Sequence, residues 1–227
     1  MAYTYEYPHP AVTVDIVVFT IADGELKVLL IRRGAAPFEG MWALPGGFVE
    51  MNESLRRAAW RELREETGLN AAYLEQLQAF GHPDRDPRER VITVAYVALI
   101  PYERFDVQAA SDARDARLFN LEALPELAFD HPRILRRACQ RLKEKLSDPI
   151  IALQLVGKSF TLSELQRVHE LILGKPLDKR NFRKKILAEG LIEATGDERR
   201  GGAHRPARLY KVKDPSDVPY APVISRA

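Results

Sequence analysis

Residues 47–69 read Gly47-Phe48-Val49-Glu50-Met51-Asn52-Glu53-Ser54-Leu55-Arg56-Arg57-Ala58-Ala59-Trp60-Arg61-Glu62-Leu63-Arg64-Glu65-Glu66-Thr67-Gly68-Leu69. Asn52 to Ser54 are residue types that cap helix N-termini and Gly68 is a natural stop, so the stretch predicts a helix between them. At about 100° per residue, Leu55, Ala58, Ala59 and Leu63 form the face expected to pack inward. Glu62, Glu65 and Glu66 fall on or beside that apolar arc, whereas Arg57, Arg61 and Arg64 lie roughly opposite. A solvated charge face is the ordinary reading of a Glu-rich helix. Here the acids share a face with small alanines, where isolated carboxylates are costly to desolvate.

Carboxylates spaced i, i+3 and i+4 also repel one another, which pushes one toward protonation. A hard divalent cation such as Mg²⁺ or Mn²⁺ resolves both problems, because it takes oxygen ligands and keeps positions open for substrate phosphates. A carboxylate helix after a Gly-rich loop is therefore suited to handling a diphosphate. The alternative is a set of buried salt bridges.

The same residues match every specified position of the Nudix box, and the chain thereby resembles the Nudix hydrolase superfamily. The resemblance implies an α/β/α sandwich and Mg²⁺-dependent hydrolysis of a nucleoside diphosphate linked to another group. It implies metal ligation by Glu62, Glu65 and Glu66, with one of these or a nearby acid as general base. Arg61 matches the arginine that orients the glutamates, Glu53 would support the site, and the Gly47 carbonyl would join the metal shell. Metal-held water is the nucleophile in this logic, with cations neutralising the pyrophosphate charge.

At 227 residues the chain is long enough for one large domain or two smaller ones. Its single cysteine, Cys139, excludes an internal disulfide and falls in a predicted helix. The first ten residues have no apolar signal-peptide core and no run approaches a membrane span, so the chain reads as cytoplasmic. The net charge of +2 hides an asymmetry: residues 158–213 hold 14 Lys/Arg against 7 Asp/Glu, and the remainder holds 20 against 25. A mildly acidic front part and a basic back part suggest two domains with different partners, here 1–148 and 149–227.

In the front part, strands are expected at 11–20, 26–31, 73–80, 91–100 and 116–119, with Asp23-Gly24 as a hairpin turn. Residues 43–49 lead into the first helix, and 130–146 form a second with Leu135, Ala138, Leu142 and Leu146 on one side. Arg32 and Arg33, after an apolar strand, are candidates to grip phosphate, and Phe38 to stack on a base. The stiff polar loop 81–90 adds Asp84, Arg85 and Arg90 as candidate ligand contacts, since loops beside a site often carry its specificity.

In the back part, 150–158 reads as an extended linker. Thr161-Leu162-Ser163-Glu164 is an N-cap signature opening a helix to Leu173, with Leu165, Val168 and Ile172 inward. A second helix, 178–189, buries Phe182 and Ile186 and points Arg180 and Lys184 the other way. Two short strands, 191–194 and 207–212, flank a basic Gly-rich loop. This order reads as a winged helix-turn-helix whose second helix enters the DNA major groove while the hairpin touches the backbone. Thr161, Lys179, Arg180, Asn181, Arg183, Lys184, Arg200, His204 and Arg205 are its candidate DNA contacts, with Asn181 and Arg183 placed to read base edges. The alternative is a small basic packing domain.

A Nudix domain followed by this winged helix resembles the Nudix-related transcriptional regulators of NAD metabolism and their sugar-catabolism relatives. The segments 82–96 and 176–183 and the run Arg205-Pro206-Ala207-Arg208-Leu209-Tyr210 carry the likeness. It implies an effector-sensing Nudix domain, commonly for ADP-ribose or a related nucleotide, and homodimers on palindromic operators. Many members of that group have degraded boxes, and this chain departs from them in having a complete one. A regulator that also hydrolyses its effector is the resulting expectation, with an ADP-ribose-type pyrophosphatase as the alternative.

Overall fold

The structure, a computed structural model, describes residues 6–70, 73–105, 116–199 and 206–213. Strand β1 (Ala11–Ala22) turns through Asp23 and Gly24, both at positive φ (54° and 75°), into β2 (Glu25–Arg32). That pair of left-handed residues matches the twist of the two strands, and Asp-Gly adopts it readily. Next come β3 (Trp42–Ala43), β4 (Gly46–Phe48), helix α1 (Leu55–Thr67), β5 (Tyr73–Phe80), β6 (Val91–Leu99), β7 (Ala116–Asn120) and helix α2 (His131–Lys145). All seven strands form one mixed sheet with β1 at its centre, antiparallel to β2 and β4 and parallel to β6 from Ala11↔Val91 to Phe19↔Leu99.

β1 is apolar on both faces because both are covered. Val14, Ile16 and Val18 pack with Ala58, Ala59 and Leu63 of α1, whereas Val17 and Phe19 pack with Ile134, Leu135, Ala138 and Leu142 of α2. The sheet thus separates two helical layers. Helix α1 begins where Ser54 Oγ accepts from Arg57 N and ends at Gly68 (φ 70°), whose N–H donates to the Arg64 carbonyl. Both boundaries agree with the capping signals.

The back part contains α3 (Pro149–Leu153), β8 (Phe160–Thr161), α4 (Leu162–Leu173), α5 (Lys179–Ala188), β9 (Ile192–Arg199) and β10 (Ala207–Val212). Its sheet runs β8-β10-β9. The expected linker at 150–158 is absent: Asp148 Oδ1 accepts from Ile150 N, Pro149 starts α3, and Ile151 to Leu153, Leu155 and Val156 are buried. Asp-Pro, read as the end of the preceding helix, is equally good chemistry for starting the next one. β9 also extends past the expected end at 194, to Arg199.

One apolar cluster joins the two parts. It runs from Val17 and Leu30 through Leu135 and Leu142 of α2 and Ile151 of α3 to Leu165 and Ile172 of α4 and Ile186 of α5. Helix α2 is the shared wall. Among the described residues no helix is long and apolar enough to cross a membrane. Truncating Leu142 to Ala should lower unfolding stability by about 2–5 kcal/mol. Chemical denaturation followed at probes in both parts should shift as one transition, and separate transitions would show that the shared wall does not couple them.

Candidate functional site

The box acids converge on one arginine. Arg61 donates from Nη2 to Glu53 Oε1 at 2.7 Å and to the Phe48 carbonyl at 3.0 Å, and from Nη1 to Glu62 at 2.7 Å and Glu65 at 3.2 Å. Arg61 was expected opposite the acids, but Glu65 is its i+4 neighbour on the same face of the helix, so the pairing is what helix geometry provides, and the long side chain also reaches Glu53 and Glu62. The Arg61 hydrogen bond holds Glu53 below the usual carboxylate range, and the same bonds raise the arginine's own value.

Glu62 is tucked beneath Gly47, where a Cβ would lie 2.3 Å from its Oε1, so a side chain at 47 would displace the Glu62 carboxylate. Burial raises the Glu62 pKa against the pull of Arg61. Glu66 accepts from Gly46 N at 2.7 Å, and burial, reinforced by the charges of Glu62 and Asp15, pushes its carboxyl up to about 8. The mutual repulsion inferred from the sequence is therefore physically present.

Three adjoining hollows spread from these acids. One of about 380 Å³ sets Arg32 and Arg33 against Glu65 and Glu66. The next, about 190 Å³, brings Arg33, Gly47, Glu66, Arg88 and Phe129 together. A third, about 310 Å³, is lined by Phe38, His82, Asp84, Arg85, Phe129 and Arg133. Arg33 is steadied by the Pro37 carbonyl at 2.8 Å and Arg32 by that of Gly40 at 3.1 Å. Phe129, at positive φ (55°), lies 4.6 Å below the Arg33 guanidinium and 5.8 Å from that of Arg88, with the Phe38 ring edge-on at 4.8 Å. A bulky residue in that conformation costs free energy, about 1–3 kcal/mol.

Two expected ligand contacts have other employment. Arg85 is buried, not displayed on the loop: it donates to Asp15 at 3.2 Å and to Asp130 at 2.8 Å. Arg90 lines none of the three hollows and donates to the His82 carbonyl at 3.3 Å, bracing the loop. Asp84 is exposed at the rim.

Sequence reasoning missed Asp15, Arg88, Phe129, Asp130 and His131. Asp15, an acid inside a doubly buried strand, was the visible signal. His131 Nδ1 accepts from Leu44 N at 2.9 Å, so Nε2 carries the ring proton, 3.4 Å from Asp15 Oδ1. Burial alone would raise the Asp15 carboxyl, but His131 and Arg85 override it and hold it below its ordinary value.

Among the described residues no group of three or more His, Cys, Asp or Glu is drawn together around a metal position. Glu62 and Glu65 instead share Arg61. The donor set still suits a hard cation, since it offers carboxylate oxygens in a partly buried, mutually repelling arrangement.

On α5, Lys179, Arg180 and Lys184 are exposed. Arg183 is half-buried, with Nη2 3.4 Å from Ser163 Oγ, and Asn181 lies on the side facing α2. Thr161 caps α4: its hydroxyl accepts from Glu164 N and its own N–H donates to Glu164, a reciprocal box that occupies the hydroxyl as acceptor. Arg200, His204 and Arg205 lie outside the described residues.

The NUDIX domain family matches residues 9–138, and the family described as the NrtR DNA-binding winged helix domain matches residues 152–212. The chain is 39% identical over 209 residues to the ADPR responsive transcriptional repressor NtrR of Acinetobacter baylyi, covering 91% of this chain and 83% of that protein. The chain belongs to the NrtR family. The crystal structure of Shewanella oneidensis NrtR complexed with a 27mer DNA superposes with a TM-score of 0.82 at 38% identity, covering 92% of this chain and 96% of that one. The ADP-ribose pyrophosphatase of Methanocaldococcus jannaschii is 43% identical over 130 residues, which is 57% of this chain and 73% of that protein. Like its NrtR relatives, the chain has a Nudix fold with a C-terminal winged helix, and Nudix hydrolases as a class use divalent metal ions.

Replacing Arg85 with Met would leave buried Asp15 and half-buried Asp130 without their shared cation. A loss of about 3–5 kcal/mol in denaturant unfolding is expected; a wild-type midpoint would show that His131 and solvent suffice to hold the two acids.

Proposed function

We propose that this protein is a DNA-binding transcriptional repressor whose Nudix domain takes ADP-ribose as effector and also hydrolyses its diphosphate with Mg²⁺ or Mn²⁺. Residues 1–148 serve the effector and 149–227 serve the DNA, in a homodimer that matches a palindromic operator. The carrying observation is a pair of adjoining hollows that sets Glu65 and Glu66 against Arg33 and Glu66 against Arg88, with Glu62 beneath Gly47 at their edge, tied through the shared α2 core to a winged helix with outward Arg180 and Lys184. The ADPR-responsive repressor relative, similar along most of the chain, supports the effector and the DNA partner.

Within the cleft, Arg33 and Arg88 receive the diphosphate charge, and the Phe38–Phe129 pair offers ring faces to the base or ribose. Glu62, Glu65, Glu66 and the Gly47 carbonyl would hold the cation. When bound, it supplies charge neutralisation of the diphosphate and acidification of a water. Arg61 and Glu53 position the acids, and one glutamate or a nearby acid takes the proton from the attacking water.

A second reading, an enzyme first and regulator second, draws on the complete box and on its similarity to an ADP-ribose pyrophosphatase. Gel-shift titration on DNA upstream of neighbouring genes separates the two. The regulator reading expects salt-sensitive, sequence-preferring binding that ADP-ribose alters. An Arg180→Ala/Lys184→Ala variant should then bind more weakly with a salt slope smaller by about 2. Absence of sequence preference would sink that reading.

Hydrolysis is tested apart from DNA binding. Wild type with ADP-ribose and Mg²⁺ should release AMP well above a Glu65→Gln/Glu66→Gln variant, and Glu53→Gln should cost about 10–100-fold, as for residues that orient metal ligands. Equal release by wild type and the double variant would leave a site that only senses.

A further inference from the structure

A hollow of about 470 Å³ opens away from the box acids, between the C-terminal end of α2 and the pair α4–α5. Leu146, Leu173, Leu177, Phe182 and Ile186 make its floor apolar. His169 stands in the wall, only 7% exposed, with its ring edge-on to Phe182 at 5.0 Å. Its Nδ1 lies 2.9 Å from the Leu165 carbonyl, which can only accept, so Nδ1 carries hydrogen. Burial lowers the His169 pKa and favours the neutral ring, which leaves Nε2 as a bare acceptor without a partner among the described residues.

The rim is charged asymmetrically. Glu144 is neutralised by Arg137 at 3.3 Å and Arg141 at 3.7 Å, whereas Asp178, which caps α5 by accepting from Asn181 N at 2.8 Å, keeps its negative charge. Lys143 and Lys185 are exposed and have no partner among the described residues. Two ammonium groups outside any ion pair, set against the single carboxylate of Asp178, thus stand at the rim of an apolar floor whose wall also presents one hydrogen-bond acceptor. Apolar concavities with a few convergent polar groups are where small ligands bind.

We propose that this hollow is a second ligand site, for a small amphiphilic anion. An aliphatic or aromatic body lies on the leucine and phenylalanine floor, and a carboxylate or sulfonate meets Lys143 and Lys185. A hydroxyl on the ligand body would find His169 Nε2. Neither the nucleotide nor the metal is involved, so this site stands apart from the proposed effector cleft. Because its walls belong to α2, α4 and α5, an occupant bridges the sheet-packed helix and the two helices of the basic part.

The full-length protein titrated with 1-anilinonaphthalene-8-sulfonate tests this. One saturable site with blue-shifted emission is expected, displaced by decanoate and not by ADP-ribose. A Lys143→Glu/Lys185→Glu variant, whose changes break no ion pair, should bind at least tenfold more weakly, and Leu177→Trp, which occupies the floor, should reduce binding likewise. Failure to saturate, failure of decanoate to compete, or wild-type affinity in both variants would overturn the proposal.

Discussion

The Arg85 guanidinium, held between Asp15 and Asp130 inside the protein, is the joint on which the arrangement turns. Asp15 belongs to the central strand, Arg85 to the loop before β6, and Asp130 to the residue that precedes α2. Burying Asp15 and Arg85 is tolerable because each finds an opposite charge at hydrogen-bond distance, with half-buried Asp130 completing the set and His131 at the remaining Asp15 oxygen. One consequence is visible in the local structure. The Asp130 side chain makes no capping bond to α2, because its carboxylate is drawn to Arg85. The position of α2 is therefore set by a distant arginine as well as by its own apolar face.

That position has two outcomes. On one side it delivers Phe129 into the cleft beside the box acids, held in a strained backbone conformation between Arg33 and Arg88. On the other, Leu135, Ala138 and Leu142 continue the sheet's core into α3, α4 and α5. A ligand that moved Arg33, Arg88 or Phe129 would act on the residue next to Asp130, one step from the helix that both parts share. Packed cores respond to such displacements as units, which gives the proposed effector a physical route to the basic helix.

Within the box, attraction and repulsion are divided among neighbours. Arg61 gathers Glu53, Glu62 and Glu65, while Glu66 is left with a backbone N–H and a carboxyl raised to about 8. The absence of a side chain at Gly47 leaves room for the Glu62 carboxylate in its present position. A cation entering this group would relieve the repulsion that the protein alone leaves standing. The winged helix divides its own polar groups in a similar way: Thr161 and Glu164 satisfy each other, and Arg180 and Lys184 stay exposed.

What the sequence by itself determined is what neighbours three or four residues apart decide. The limits of α1, the inward face of α2, the Thr161–Glu164 box and the Asp23-Gly24 turn are all local, so periodicity and cap chemistry reveal them. The fixed spacing of the Nudix box made the acids and Arg61 legible as a group, though not the contacts of Arg61 with Glu53 and the Phe48 carbonyl. Only the tertiary structure decided that Arg85 is buried and Arg90 braces a loop. It also decided that residues 149–153 form a helix and that Phe129 stands in the cleft. Each of those depends on a partner far along the chain, such as Asp15 for Arg85, 70 residues away. The free energy of such pairings comes from burial and close approach, which exist only once the sheet has brought the partners together.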